Sequence, residues 1–252
     1  MLNQQLIERY FLLIISLEII SIGIVFTTHA DLGIYPFFAF SEISSLYFKS
    51  STLLYDFLLQ IIFIIIQIII LRIQFKKFQL FQIGIWFLLN IFMELNNIIF
   101  LGNFYPKHYL VKILFLLIGS FMIGFGINIQ FFIKALYTPG EGLLIAIYNK
   151  LKYSICYTKI IFDFILILLS TTYSYFMLGD IFGIKEGTII SGIFVGYFLG
   201  LTNERVGKII IDFLYRNFPE KKGEEQFNDD LFLNDDLYNK KEDFVNNLVM
   251  WE

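Results

Sequence analysis

Five carboxylates stand inside or against long apolar runs: Glu18, Asp56, Glu94, Glu141 and Asp163. A carboxylate at the middle of a bilayer costs at least about 3 kcal/mol, so it faces either a partner or a wet cavity. Each is therefore a candidate to bind a proton, a cation or a small solute, and each also has a plain structural explanation. Glu18 lies between Leu17 and Ile19, where a hydrogen bond to a neighbouring helix would account for it. Asp56 and Asp163 sit in matching strings, Tyr55-Asp56-Phe57 and Phe162-Asp163-Phe164, and would line one central path. Lys159, one turn before Asp163, offers that carboxylate a local ion pair instead.

Asn90 and Glu94 are four residues apart and share a helix face, with Asn97 close to it. A polar stripe in an apolar helix marks a lumen-facing or helix-contacting side. Thr138-Pro139-Gly140-Glu141 reads as a capping box with Pro at the first helical position, which would use up Glu141. The same helix start would also offer free N–H groups to an anion, and Gly140 and Gly142 would let the backbone approach a ligand. Glu186, ahead of Gly187-Thr188, carries the same ambiguity. Asn128 and Gln130 point to different faces of one helix, and Gly119, Gly124 and Gly126 suit close helix packing better than binding.

Other chemistries lack their parts. Cys156 is the only cysteine and His29 and His108 the only histidines, so an intrachain disulfide and a His- or Cys-built metal site are excluded. The sequence has no nucleophile elbow, H-E-x-x-H motif or P-loop and no basic patch for nucleic acid. The expectation is a protein that is not an enzyme and uses no cofactor.

The elements that must hold these carboxylates are membrane spans. Of 252 residues, 57% are hydrophobic and 16% charged, against about 25% charged in soluble domains, and the mean hydropathy is +0.70. Such a chain needs lipid as its solvent, and the bilayer is its first partner. The first apolar run lacks a small-residue cleavage site and reads as an uncleaved span. Six windows approach the ~20 residues a span needs: Tyr10–Thr28, Thr52–Leu71, Phe78–Leu101, Tyr109–Phe132, Lys159–Leu178 and a short one at Thr188–Leu201. The fold class expected is all-α, a polytopic membrane helix bundle of about six transmembrane helices.

Arg9, Arg72, Lys76, Lys77, Lys134, Lys150, Lys152, Lys159, Arg205, Lys208 and Arg216 fall on one side of such a bundle, and Lys49, Lys107, Lys112 and Lys185 on the other. The positive-inside rule then puts both termini in the cytoplasm. Residues 217–252 hold ten acidic and four basic side chains, which separates an acidic cytoplasmic tail from a membrane domain over 1–216. The tail is expected to be disordered or a short amphipathic helix, with docking of a cytoplasmic partner as its one functional reading.

Two further stretches, Pro36–Phe48 and Pro139–Lys150, are too short to span, at about 18 Å as helix. Both are apolar and both begin at Pro, which fits half-helices dipping into the membrane or interfacial helices lying on it. They recur at an interval. Arg9, Gly23 and Pro36 match Lys112, Gly126 and Pro139 at an offset of 103, and after four extra residues Asp56 matches Asp163. The copies, 9–101 and 109–205, each hold three spans. An odd number places the second copy upside down, a plan that recurs in secondary transporters with the site at the repeat interface.

Four strings carry a resemblance: Ala30-Asp31-Leu32-Gly33-Ile34-Tyr35-Pro36, Pro139-Gly140-Glu141-Gly142-Leu143, Lys159-Ile160-Ile161-Phe162-Asp163 and Gly183-Ile184-Lys185-Glu186-Gly187-Thr188. Over residues 9 to 205 the chain resembles the YczE/YyaS/YitT group of bacterial integral membrane proteins. The resemblance implies a bacterial cytoplasmic membrane location and a group without an established activity. Two functions are open at this point: a permease for a small solute or ion, and a non-transporting accessory or scaffold protein.

Overall fold

The computed structural model describes residues 2–102, 104–151 and 153–215; the acidic tail expected over 217–252 lies outside them. Eight α-helices follow one another: α1 Leu2–His29, α2 Pro36–Phe48, α3 Thr52–Leu71, α4 Gln82–Asn96, α5 Tyr109–Ile133, α6 Pro139–Leu151, α7 Ile155–Leu178 and α8 Glu186–Tyr215. The order of one long helix, one 13-residue helix and two long helices occurs twice. Both short helices begin at their proline, where the missing N–H would have had no intrahelical partner.

Helix α3 hides a polar face and shows an apolar one. On α3 the buried residues are Asp56, Leu59, Gln60, Phe63, Ile64 and Gln67. Leu54, Leu58, Ile62, Ile65 and Ile69, spaced three and four apart, are exposed. A helix in water does the reverse. Five stretches are long and apolar enough to cross a membrane: Leu6–His29, Thr52–Gln74, Lys77–Ile99, Tyr109–Ile133 and Ile155–Leu178. The sixth window falls within α8, whose 30 residues exceed the length needed but interleave too many polar side chains, Asn203, Glu204 and Arg205 among them, to join the other five.

At the centre α1 crosses α5 through small residues. A Cβ on Gly23 would lie 2.8 Å from the Gly119 carbonyl oxygen and 2.9 Å from Ile123, and one on Gly126 would lie 3.0 Å from the Ser16 carbonyl oxygen and 2.5 Å from Ile20. The partner numbers fall on α5 as they rise on α1, so the two helices are antiparallel. Each of these contacts also becomes the other when 103 is added to or taken from its residue numbers. Two further pairs keep that symmetry, α4 on α1 as α8 on α5 and α2 on α7 as α6 on α3, whereas α8 packs on α7 far more extensively than α4 does on α3.

The bundle has two ends. One gathers the start of α1 and the end of α5, where the Arg9 guanidinium donates to the Ile133 carbonyl. The other gathers the end of α1 and the starts of α3, α5 and α8. There Lys112 donates to Asp31 at 2.7 Å, and the Gly187 N–H donates to the Leu32 carbonyl at 2.8 Å. Gly33 in this turn has φ +127, and a side chain on it would meet Thr188 Oγ1 at 2.4 Å, so conformation and space both require glycine. Of the basic residues that the sequence assigns to one side, Lys152 and Arg216 lie outside the described residues, and Lys159 needs a correction. Lys159 does not mark a boundary: α7 starts a turn earlier, and Lys159 is 1% exposed inside the bundle.

Candidate functional site

The two short helices begin side by side. A Cβ on Gly140 would lie 2.0 Å from the Phe37 ring, and residues 37 and 140 are themselves 103 apart. From that point α2 runs toward the start of α3, and α6 toward the start of α7, at opposite ends of the bundle. Each short helix starts against polar side chains of the other half. Gln67 Nε2 donates to the Pro139 carbonyl at 2.7 Å and Gln82 Oε1 accepts from Gln67 at 3.1 Å, so α6 is seated on α3 and α4. Pro36 of α2 sits at the Gly192 position of α8, which also faces Asp163 of α7. Gly142 has no room for a side chain, because its Cβ would fall 2.8 Å from Gln82 Oε1 and 2.9 Å from Gln67 Oε1. The first turn of α6 is thus closed by protein, which leaves no room at Gly140 or Gly142 for the ligand approach considered from the sequence.

The capping box does not form through Thr138, whose hydroxyl is buried without a hydrogen-bond partner. Glu141 is 8% exposed and interacts electrostatically with Lys159, Asp163 and Asp56. Lys159 Nζ lies 2.8 Å from Asp163 Oδ1, with the two side chains 1% and 0% exposed. Its ammonium also stands 5.8 Å from the Tyr35 ring centroid and 5.6 Å from that of Phe162, within cation–π range. Asp163 therefore takes the ion pair with Lys159 and lines no open path.

Asp56 is different. Its Oδ2 accepts from Trp86 Nε1 at 2.7 Å and its Oδ1 from Gln60 Nε2 at 3.0 Å, both neutral donors. It borders a cleft of about 790 Å³ whose walls include Glu42, Thr52, Asn90, Glu94 and Tyr35. Asp31 and Lys185 stand at the rim, the end that also holds the starts of α3, α5 and α8. Outside the spans, the hydrogen bond from Lys112, reinforced by its charge, holds the Asp31 carboxyl below its ordinary range.

The residues singled out in the sequence divide accordingly. Asp56, Asn90 and Glu94 share the cleft, and Asn90 turns its amide back to the Trp86 carbonyl at 2.9 Å. Asp163 and Glu141 belong to the closed compartment behind Tyr35. Glu18 is half-buried on α1 and does not line the cleft. The polar residue packed beyond Glu94 is Asn96, which donates to Ser21 Oγ at 2.6 Å; Asn97 opens a π turn over Asn97–Leu101. Asn128 fastens α5 to α8 by donating to the Leu199 carbonyl and to Thr202 Oγ1, both at 2.7 Å. His29 is 2% exposed, held between the Val25 and Gly102 carbonyls at 3.0 and 3.2 Å. Among the described residues no group of His, Cys, Asp and Glu could hold a metal ion.

Sequence reasoning missed Glu42, Gln60, Gln67, Gln82 and Trp86. A signal for two of them was present, since Gln60 and Gln67 follow Asp56 at intervals of four and seven residues along an otherwise Ile-rich helix.

Long apolar helices with an apolar exterior, and polar side chains such as Asp56, Gln60 and Gln67 buried between them, define a multi-pass helical membrane protein with an acidic cleft. The chain belongs to DUF6198, a family of unknown function whose model matches residues 7–204. No curated protein and no solved structure matches it.

Proposed function

We propose that this chain is a membrane permease for a small solute or ion, built from two inverted repeats, 9–101 and 109–205, in a membrane domain of residues 1–216. The observation that carries the reading is the cleft with Asp56 on its wall, enclosed by α1, α2, α3, α4 and the turn before α8. Sites at a repeat interface, beside interrupted helices, are the plan of many secondary transporters. In this reading α8 is the sixth crossing, carried by its seat against α5 and α7 where lipid need not solvate its polar residues. Arg9, Arg72, Lys76, Lys77, Lys134 and Lys150 at one end, against Lys49, Lys107, Lys112 and Lys185 at the other, put both termini in the cytoplasm by the positive-inside rule. The cleft then opens outward, and the membrane is the cytoplasmic membrane of a bacterium, as the YczE/YyaS/YitT resemblance implies.

Inverted halves also give a way to move. The closed Lys159–Asp163 compartment stands in the second half where the cleft stands in the first. An exchange of conformation between the halves would close one and open the other toward the cytoplasm. The test is transport by the full chain in proteoliposomes, measured as solute-induced current and counterflow across a panel of small cations, amines, amino acids and organic acids. The expected outcome is flux of at least one solute that Asp56→Asn abolishes. Absence of flux across the panel, or flux that Asp56→Asn leaves unchanged, contradicts the reading.

A further inference from the structure

The two halves are not chemically equivalent, and the difference specifies a ligand. Asp163 holds a primary ammonium, Lys159 Nζ, at 2.8 Å. Four residues before Asp56, where the other half has Lys159, stands Thr52, whose hydroxyl is spent on Ser45 Oγ at 3.0 Å. Asp56 is 3% exposed, and its neutral donors Trp86 and Gln60 leave the ammonium position of the other half without an equivalent in this one. Thr52 and Asp56 both border the cleft, so that position is reached from the bundle end.

A second observation lies in the same wall. Tyr35 is 7% exposed and its ring borders the cleft. Glu42 and Glu94 add negative charge, while the rings of Phe38, Phe87 and Tyr35 provide apolar wall. Carboxylates with aromatic faces suit a cation that carries hydrocarbon, which aromatic rings attract through their quadrupole. A hydrated metal ion would gain nothing from those rings.

We infer that the cleft binds a small protonated amine, its ammonium on Asp56 in the place that Lys159 takes on Asp163, and its hydrocarbon part along the aromatic wall. The inference names the substrate class of the permease proposed above and rests on that reading for its role in transport, whereas the binding itself does not need transport to occur.

The experiment is thermal unfolding of the detergent-solubilised full chain with n-butylammonium chloride, which reproduces the end of a lysine side chain. Sodium chloride at equal concentration controls for ionic strength, and sodium butyrate for the hydrocarbon chain. Ligand that binds only the native state raises Tm with concentration. The expected result is a rise with n-butylammonium beyond both controls, lost in Asp56→Asn and lost in Thr52→Lys, which supplies the ammonium from the chain itself. A rise no larger than that in sodium chloride overturns the inference, and so does a rise that Thr52→Lys leaves intact. Thr52→Lys keeps the test decisive if Asp56→Asn fails to fold, because Thr52 is exposed. Amine binding without flux of any solute would contradict the permease and leave the binding site standing; flux of other solutes without amine binding would do the opposite.

Discussion

Thr52 and Asp56 on α3 stand where Lys159 and Asp163 stand on α7, yet the two carboxylates live in different surroundings. Asp163 is sealed, 0% exposed, with an ammonium at 2.8 Å. Asp56 sits at the wall of an open cleft with an indole and an amide for partners. One carboxylate is thus closed in an ion pair, whereas the other, 3% exposed, borders a cleft, and the residue four before it is threonine in place of lysine.

The largest expected effect comes from breaking the sealed half. Lys159→Met leaves Asp163 buried beside no cation, a loss of about 3–5 kcal/mol, measured as a lower Tm or denaturant midpoint in detergent. The double variant Lys159→Met/Asp163→Leu should recover most of that loss, because removing both charges also removes their desolvation cost. A single Lys159→Met variant as stable as the parent would show that the pair does not hold the second half together. Next in size is the crossing that both halves share. Gly23→Leu or Gly119→Leu drives a side chain into the opposing backbone and should cost about 1–3 kcal/mol or more by the same measurement.

The open half should respond less in stability and more in binding. Trp86→Phe removes one donor from Asp56 and should cost about 1.5 kcal/mol, the low end for a hydrogen bond to a charged group, because Gln60 and cleft water remain. Binding of n-butylammonium, followed as the shift in Tm, should weaken with it. The smallest effect is at the rim. Asp31 is 55% exposed in its pair with Lys112, so Lys112→Ala should cost less than about 1 kcal/mol. The pairing holds the Asp31 carboxyl below its ordinary range, so its contribution is complete above the ordinary carboxylate pKa and fades as pH falls through the lower folded value. Unfolding of the parent and of Lys112→Ala should therefore converge only below about pH 4; a difference independent of pH would mean that packing, not charge, makes the contact.

Much of the architecture was legible in the sequence because it rests on local chemistry. The prolines at 36 and 139 set the starts of both half-helices, and length and apolarity set α3 as Thr52–Leu71. The interval of 103 between matched residues is the interval at which the α1–α5 contacts repeat. All four strings behind the family resemblance lie at contacts: the turn after α1 bonds to the one before α8, and the start of α6 faces Lys159 and Asp163. What could not be read was which polar groups meet. Gln67 and Gln82 are joined by a hairpin between α3 and α4, and Trp86 reaches Asp56 from 30 residues away; spacing along one helix says nothing about a neighbour. Glu42, one acid in the apolar helix α2, reaches the cleft only through the way α2 packs. Lys159 was read as a boundary marker because a lysine near a span end is ordinarily one, and only the extra turn of α7 takes it inside.

The central claim, two halves of opposite sense with Asp56 reached from one face only, is tested most directly by cysteine accessibility in intact cells. In a Cys156→Ser background, Asp56→Cys, Asn90→Cys and Lys150→Cys are each treated with a membrane-impermeant maleimide before and after permeabilisation. The account predicts labelling at 56 and 90 from outside, and at 150 only once the membrane is opened. Labelling of 56 and 150 from the same side, or of 56 from neither, would contradict it.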